Sequence, residues 1–131
     1  MVGKVGQKPK ALVAEDQTPN QKLICIHLEK LGFDVQAVSN GQEALDAVSC
    51  EPFDLIVLDM QMPQVSGYEA ATQMRQQGIE TPIVALTAHA MSGDRKKCLD
   101  AGCSDYLAKP FRQEELRDVV DRLCSASPAG G

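Results

Sequence analysis

The chain has 131 residues, 44% of them hydrophobic and 24% charged, a composition that describes one globular domain with a single core and excludes a disordered polar chain. A formal net charge of −5 with a pI near 4.9 leaves no basic excess to neutralise phosphates, which argues against direct nucleic-acid binding. No apolar stretch approaches the roughly 20 residues needed to span a bilayer, and the N-terminal MVGKVGQKPK carries positive charge with no apolar signal segment behind it, so the expected compartment is the cytoplasm.

Residues 1 to 9 read as a tail or linker. The first apolar run, Ala11–Ala14, ends in the acidic pair Glu15-Asp16. A helix follows, with Thr18 as its expected cap, Pro19 at the first position, Ile24, Leu28 and Leu31 along one face, and Gly32 as the stop. The second run is Val35–Val38, after which Asn40-Gly41-Gln42-Glu43 has the spacing of a capping box. The third run, Leu55–Leu58 within DLIVLDMQMP, stops at Asp59, and Ser66-Gly67-Tyr68-Glu69 supplies a second capping box. Ile83–Leu86 leads into Thr87-Ala88, and a fourth helix is expected from Ser92 to just before Gly102. The fifth run, Tyr106–Ala108, leads into Lys109-Pro110. The last helix carries Leu116, Val119, Val120 and Leu123 at helical spacing, and residues 125 to 131 read as a second tail.

Five apolar runs alternating with helical segments predict an α/β domain over residues 10 to 124, built as (βα)5 with right-handed crossovers and helices on both faces of a parallel sheet. The runs are near-continuous, as expected of strands covered on both faces. In such doubly wound sheets the ligand site lies beyond the carboxyl ends of the strands, where the strand order reverses. Glu15, Asp16, Asp59, Thr87 and Lys109 fall at those ends. Two carboxylates about 5 Å apart repel by roughly 3 kcal/mol at an effective dielectric of about 20, so three of them call for a counter-charge. Lys109 is one candidate and a divalent cation the other, an all-oxygen donor set suiting Mg²⁺. With a metal present, one carboxylate could attack an activated phosphoryl group, with the lysine and the threonine hydroxyl contacting its oxygens.

Glu15-Asp16, Asp59 in DLIVLDMQMP, Thr87-Ala88 in IVALTA and the segment YLAKPF at 106 to 111, taken in that order, together resemble a response-regulator receiver domain across nearly the whole chain. The resemblance implies a flavodoxin-like, five-stranded parallel sheet of order 2-1-3-4-5. It makes Asp59 the phosphoacceptor, with Glu15, Asp16, Asp59 and the backbone carbonyl of Gln61 as ligands of Mg²⁺ or Mn²⁺. It places Thr87 and Lys109 on the phosphoryl group, makes Thr87 and Tyr106 the switch, and assigns Gln61 and His89 to tuning of dephosphorylation. It further implies a cis peptide at Pro110. The partner it implies is a histidine kinase or a histidine phosphotransfer protein, with no direct nucleic-acid or membrane contact by this domain. Phosphorylation would alter the surface of the fourth helix, fifth strand and fifth helix; the domain would catalyse its own phosphorylation and dephosphorylation without independent turnover. Glu15 is a mild departure, since Asp is also common there. MPQVSGYEAATQMR and IVALTAHAMSGDRKKCLDAGCSDYLAKPF are most similar to receivers of hybrid sensor histidine kinases, so such a receiver is the expected origin and a stand-alone phosphorelay receiver its competitor.

Two other function classes compete. One is an interaction module with a silent site. The other is a Mg²⁺-dependent phosphatase with an aspartyl nucleophile, but those enzymes want a second acid two residues on, where Gln61 stands. Plainer readings exist for single residues: Asp59 as a turn cap, Glu15-Asp16 as solvated loop acids, Thr87 as a β-branched strand end, Tyr106 as a half-buried aromatic, and Arg95-Lys96-Lys97 as a solvated helix face. His27 is given no role. Cys25, Cys50, Cys98, Cys103 and Cys124 have spacings that suit neither a disulfide framework nor a zinc site, and are expected to be small buried thiols.

Overall fold

A computed structural model describes residues 9–62, 65–87, 92–109 and 111–124. Its elements alternate strictly: β1 (Lys10–Ala14), α1 (Thr18–Lys30), β2 (Asp34–Val38), α2 (Gly41–Cys50), β3 (Leu55–Asp59), α3 (Gly67–Gln76), β4 (Ile83–Thr87), α4 (Ser92–Asp100), β5 (Asp105–Ala108) and α5 (Gln113–Cys124). The five strands are parallel in the order β2-β1-β3-β4-β5, as expected. The order reverses between β1 and β3, and the carboxyl ends of those strands frame the crevice that doubly wound sheets use for ligands.

The period-two alternation of strand side chains splits the core into two layers. Leu12, Ala14, Ile56, Leu58, Ile83 and Ala85 point to one face, where Ala44 and Leu45 of α2, Ala70, Ala71 and Met74 of α3, and Cys98 of α4 cover them. Ala11, Val13, Leu55, Val57, Val84 and Leu86 point to the other, covered by Ile24 and Leu28 of α1 and Leu116, Val119 and Val120 of α5. Strands β3 and β4 are buried at every position. Double coverage does not extend to β2, where three of the five residues are exposed. It is an edge strand with a neighbour on one side only, so its near-continuous apolar run overstated its burial.

The helix starts follow the predicted chemistry with one shift. Helix α3 has the full capping box: Ser66 Oγ accepts the Glu69 N–H at 3.2 Å, and Glu69 Oε1 accepts the Ser66 N–H at 3.0 Å. In α2, Asn40 Oδ1 accepts the Glu43 N–H at 2.8 Å, but Glu43 reaches back to the N–H of Ser39. Thr18 does not cap α1. It is the first helical residue, and Gln17 is the cap, without a side-chain cap bond. The reason is local: the Gln17 carbonyl accepts the Gln21 N–H at 2.9 Å, while its own N–H donates to Glu15 at 3.1 Å. The helix start is drawn back toward the acid.

Helix α4 ends on a left-handed turn. Gly102 has φ 108°, its N–H donates to Leu99, and the Cys103 N–H donates to the Cys98 carbonyl, the paired bonds of a Schellman motif. Cys98 and Cys103 are buried there, and burial pushes the Cys103 thiol up to about 12. Cys25 is half-buried and Cys50 is exposed, so the expectation of uniformly buried thiols fails at Cys50, the last residue of α2. Among the described residues, no helix is long and apolar enough to cross a membrane.

Candidate functional site at the carboxyl edge of the sheet

Four adjacent strands deliver the chemistry. Glu15 directly follows β1, Asp59 closes β3, Thr87 closes β4, and Lys109 directly follows β5. Parallel register brings them level: Ala14 pairs with Leu58, Asp59 with Leu86, and Thr87 with Ala108. Two backbone bonds continue the ladder past the strand ends, Met60 N–H to Leu86 at 2.9 Å and Lys109 N–H to Thr87 at 2.7 Å.

Buried polar residues in the described core are few, and they gather here: Glu15 at 0%, Asp59 at 3% and Thr87 at 3% exposure. Charges so placed persist only when paired and hydrogen-bonded. Lys109 Nζ answers both, donating to Glu15 Oε1 at 3.1 Å and to Asp59 Oδ2 at 3.2 Å. The remaining oxygens are also held, Glu15 Oε2 by the Gln17 N–H at 3.1 Å and Asp59 Oδ1 by the Gln61 N–H at 3.0 Å. Burial pushes the Glu15 carboxyl above the usual carboxylate range, and the Asp59 charge adds to this against the opposing bonds from Gln17 and Lys109. Burial alone would lower the Lys109 ammonium, but its bond to Glu15 and the Asp59 charge outweigh that and leave it raised.

Asp16 is exposed, yet it completes a cluster in which one carboxylate oxygen each from Glu15, Asp16 and Asp59 lies within 4.8 Å of the others. One lysine among three carboxylates leaves the cluster net negative. Hard oxygen donors at that spacing fit a small divalent cation such as Mg²⁺. Tyr106 is half-buried and packs against the α2–α3–α4 side of the core. Gln61 is exposed just past Asp59. His89 and Pro110, with the expected cis peptide, lie outside the described residues.

Sequence reasoning missed two features. Gln21, one turn into α1, donates both N–H groups of its side-chain amide back to the strand ends, to the Glu15 carbonyl at 3.0 Å and the Val38 carbonyl at 2.9 Å. A glutamine in a polar helix start reads as solvated, so no local signal marks this. The second is a groove lined by Asn20, Leu23, Ile24, Lys109 and Phe111. Leu23 in its lining is 51% exposed, and Ile26, three residues further along α1, is 48% exposed. Two large aliphatic residues on the polar side of α1 were the available signal.

Comparison with known proteins agrees with this geometry. The profile of the response regulator receiver domain matches residues 11–121. The chain is 43% identical over 117 residues to the sensor histidine kinase GacS of Pseudomonas protegens, a match covering 86% of this chain and 13% of that protein. The chain spans 13% or less of the length of the curated relatives it matches. Among solved structures, it resembles the receiver domain of sensor histidine kinase PA1611 from Pseudomonas aeruginosa, which has a magnesium ion coordinated in its active-site cleft. That match has a TM-score of 0.84 and 38% identity, covering 90% of this chain and 98% of that one. It also resembles the receiver domain of Ssk1, solved in complex with the histidine phosphotransfer protein Ypd1 of Saccharomyces cerevisiae, with a TM-score of 0.83, 33% identity and 90% coverage of each chain.

Proposed function

The chain belongs to the response regulator receiver domain family of two-component signalling, and on that premise we propose that residues 10 to 124 form a phosphoacceptor in which Asp59 takes the phosphoryl group from a phosphohistidine. One observation carries this reading: a carboxylate 3% exposed sits at the carboxyl edge of the sheet, within 4.8 Å of two further carboxylates and in contact with a lysine. A purely structural acid would not be buried beside its like.

Glu15, Asp16, Asp59 and the Gln61 carbonyl would hold Mg²⁺ or Mn²⁺. Bound there, the cation supplies charge that offsets both the carboxylates and the transferring phosphoryl oxygens. The Gln61 N–H fixes Asp59 Oδ1, which orients the carboxylate before reaction. An Asp59 oxygen attacks phosphorus, an O–P bond forms, the P–N bond to the donor imidazole breaks, and the electron pair leaves with the imidazole. Lys109, which contacts Asp59 before transfer, moves its hydrogen bond to a phosphoryl oxygen. The Thr87 hydroxyl takes another, and Tyr106 turns into the space behind it. The added charge of about −1.5 to −2 thereby biases the α4–β5–α5 surface between two arrangements. Gln61 and His89 tune how long the acyl phosphate survives water. The partner is a histidine kinase or phosphotransfer protein, and it docks in the groove of Leu23, Ile24 and Phe111. Lys109, which contacts Asp59, is part of the lining of that groove, so a protein seated on it through an apolar helix face brings its histidine to Asp59. A receiver within a hybrid sensor kinase is the origin we favour, on the similarity to sensor kinases.

Incubation with Mg²⁺ and acetyl phosphate should add one phosphate to the wild type and none to Asp59→Asn; equal labelling of the two removes the assignment. Leu23→Asp should leave acetyl phosphate labelling unchanged while slowing transfer at least tenfold from a phosphorylated histidine phosphotransfer domain that labels the wild type. Equal transfer rates would move the docking site elsewhere.

A further inference from the structure

The Gln21 amide is placed where it controls the position of the acidic loop. We propose that Gln21 is a positioning residue for divalent-cation binding: its side-chain amide clamps the end of β1 to the end of β2 and so sets where Glu15 and Asp16 present their carboxylates. This rests on the metal-binding reading of the site above.

The geometry accounts for every polar group of Glu15. Its N–H donates to the Val38 carbonyl at 3.1 Å, its carbonyl accepts from Gln21 Nε2 at 3.0 Å, and its carboxylate oxygens take Lys109 and the Gln17 N–H. Three of these four anchors fix the backbone or the carboxylate against a strand or a helix start. The Gln21 bond is the one that fixes the peptide joining Glu15 to Asp16. The same Nε2 also donates to the Val38 carbonyl at 2.9 Å, so one amide uses both N–H groups on the ends of two neighbouring strands. Gln21 is itself anchored, because its backbone N–H makes a first-turn bond of α1.

Asp16 has no comparable support. It is exposed, and its place in the three-carboxylate cluster depends on the peptide plane immediately before it. Loss of the Gln21 donors would leave the Glu15 carbonyl without that partner at a fully buried residue, an arrangement that favours rotation of the Glu15-Asp16 peptide toward a new donor. Residues that orient ligands through hydrogen bonds typically change metal affinity by 10–100-fold when altered. Gln21 touches no cation in this scheme. It acts through Glu15 and Asp16.

Methionine keeps the length of glutamine and removes both donors. Mg²⁺ alone, titrated into the metal-free protein and followed by NMR, should bind Gln21→Met about tenfold more weakly than wild type. Gln73→Met, at an exposed glutamine of α3, should match wild type. Gln21→Asn, one methylene shorter and able to reach a single carbonyl, should fall between them. A wild-type dissociation constant in Gln21→Met overturns the proposal while leaving the site intact. Absence of Mg²⁺ binding in the wild type overturns the metal-site reading and this inference with it. A measurement on the wild type needs no variant to fold: the Gln21 carboxamide protons should exchange slowly, and more slowly with Mg²⁺. Free-amide exchange rates in both conditions would equally remove the clamp.

Discussion

Glu15 is held by four hydrogen bonds at zero exposure, and burial still raises its carboxyl above the ordinary 4.5, with the Asp59 charge adding to the shift. A raised acid binds its proton more tightly in the folded state than in the unfolded chain. Its contribution to stability is therefore fully present below the unfolded value of about 4.5 and is lost as pH climbs through the higher folded value. Lys109, also raised, behaves alike at the other end of the scale: its contribution persists through neutrality and fades only as pH rises past 10.5. Between these limits the acid governs. Glu15→Gln carries no such proton, so in EDTA its stability relative to wild type should increase as pH rises from about 4.5 through the raised folded value and then level off. Urea unfolding at several pH values reads this directly; parallel curves for the two proteins would show that Glu15 does not titrate across folding. Added Mg²⁺ should remove the wild-type decline, because bound cation favours the ionised carboxylate.

Helix α3 begins hard against the strand end that carries Asp59. The Gly67 N–H donates to the Met60 carbonyl at 3.3 Å, and a Cβ at Gly67 would lie 2.4 Å from the Asp59 carbonyl and 2.7 Å from the Met60 Cα. Both are backbone atoms, so neither can rotate away. Gly67→Ala must therefore shift the helix or the strand, at about 1–3 kcal/mol, and should also slow acetyl phosphate labelling of Asp59. Ser66→Ala, one residue earlier, removes only the cap at about 1 kcal/mol and should leave labelling unchanged. Equal labelling losses would mean that stability, not the approach of Gly67 to Asp59, limits the reaction. The Ser66–Glu69 box was legible in the sequence because it is local, as were the strand cores: each apolar run lies within its strand to within one residue at either end. Glu15, Asp59, Thr87 and Lys109 were legible because they stand at strand ends, where period and chain order suffice. The Gln21 clamp and the exposure of β2 depend on which strands become neighbours across the sheet, and no window of local sequence encodes that. Arg75 belongs with them: its guanidinium donates to the carbonyls of Ile79, Thr81 and Gly102, tying α3 to the turns around β4 and β5 from a position that reads as an ordinary surface helix residue.

Across the whole molecule, two apolar layers enclose a sheet whose carboxyl edge concentrates charge that the layers would otherwise exclude. Glu15 and Asp59 are both buried, and Lys109 is the cation paired with them, so the buried part of the site carries a net charge of about −1 without metal. Leaving one charge uncompensated in a low-dielectric setting costs several kcal/mol before relaxation and water access reduce it. Among the described residues, the two apolar layers on either face of the sheet supply the burial that offsets this cost. Asp59→Asn removes the surplus charge while keeping the shape and an oxygen that accepts from Lys109, which is left in a neutral pair with Glu15. The variant should be more stable than wild type by about 1–2 kcal/mol in EDTA. Mg²⁺ should narrow the gap, since the cation compensates the wild-type charge and stabilises the folded state by mass action. Calorimetric melts of both proteins with EDTA and with saturating Mg²⁺ measure the four values needed. If Asp59→Asn melts below wild type in EDTA, Lys109 already neutralises the site, and the strain that a cation is proposed to relieve is absent.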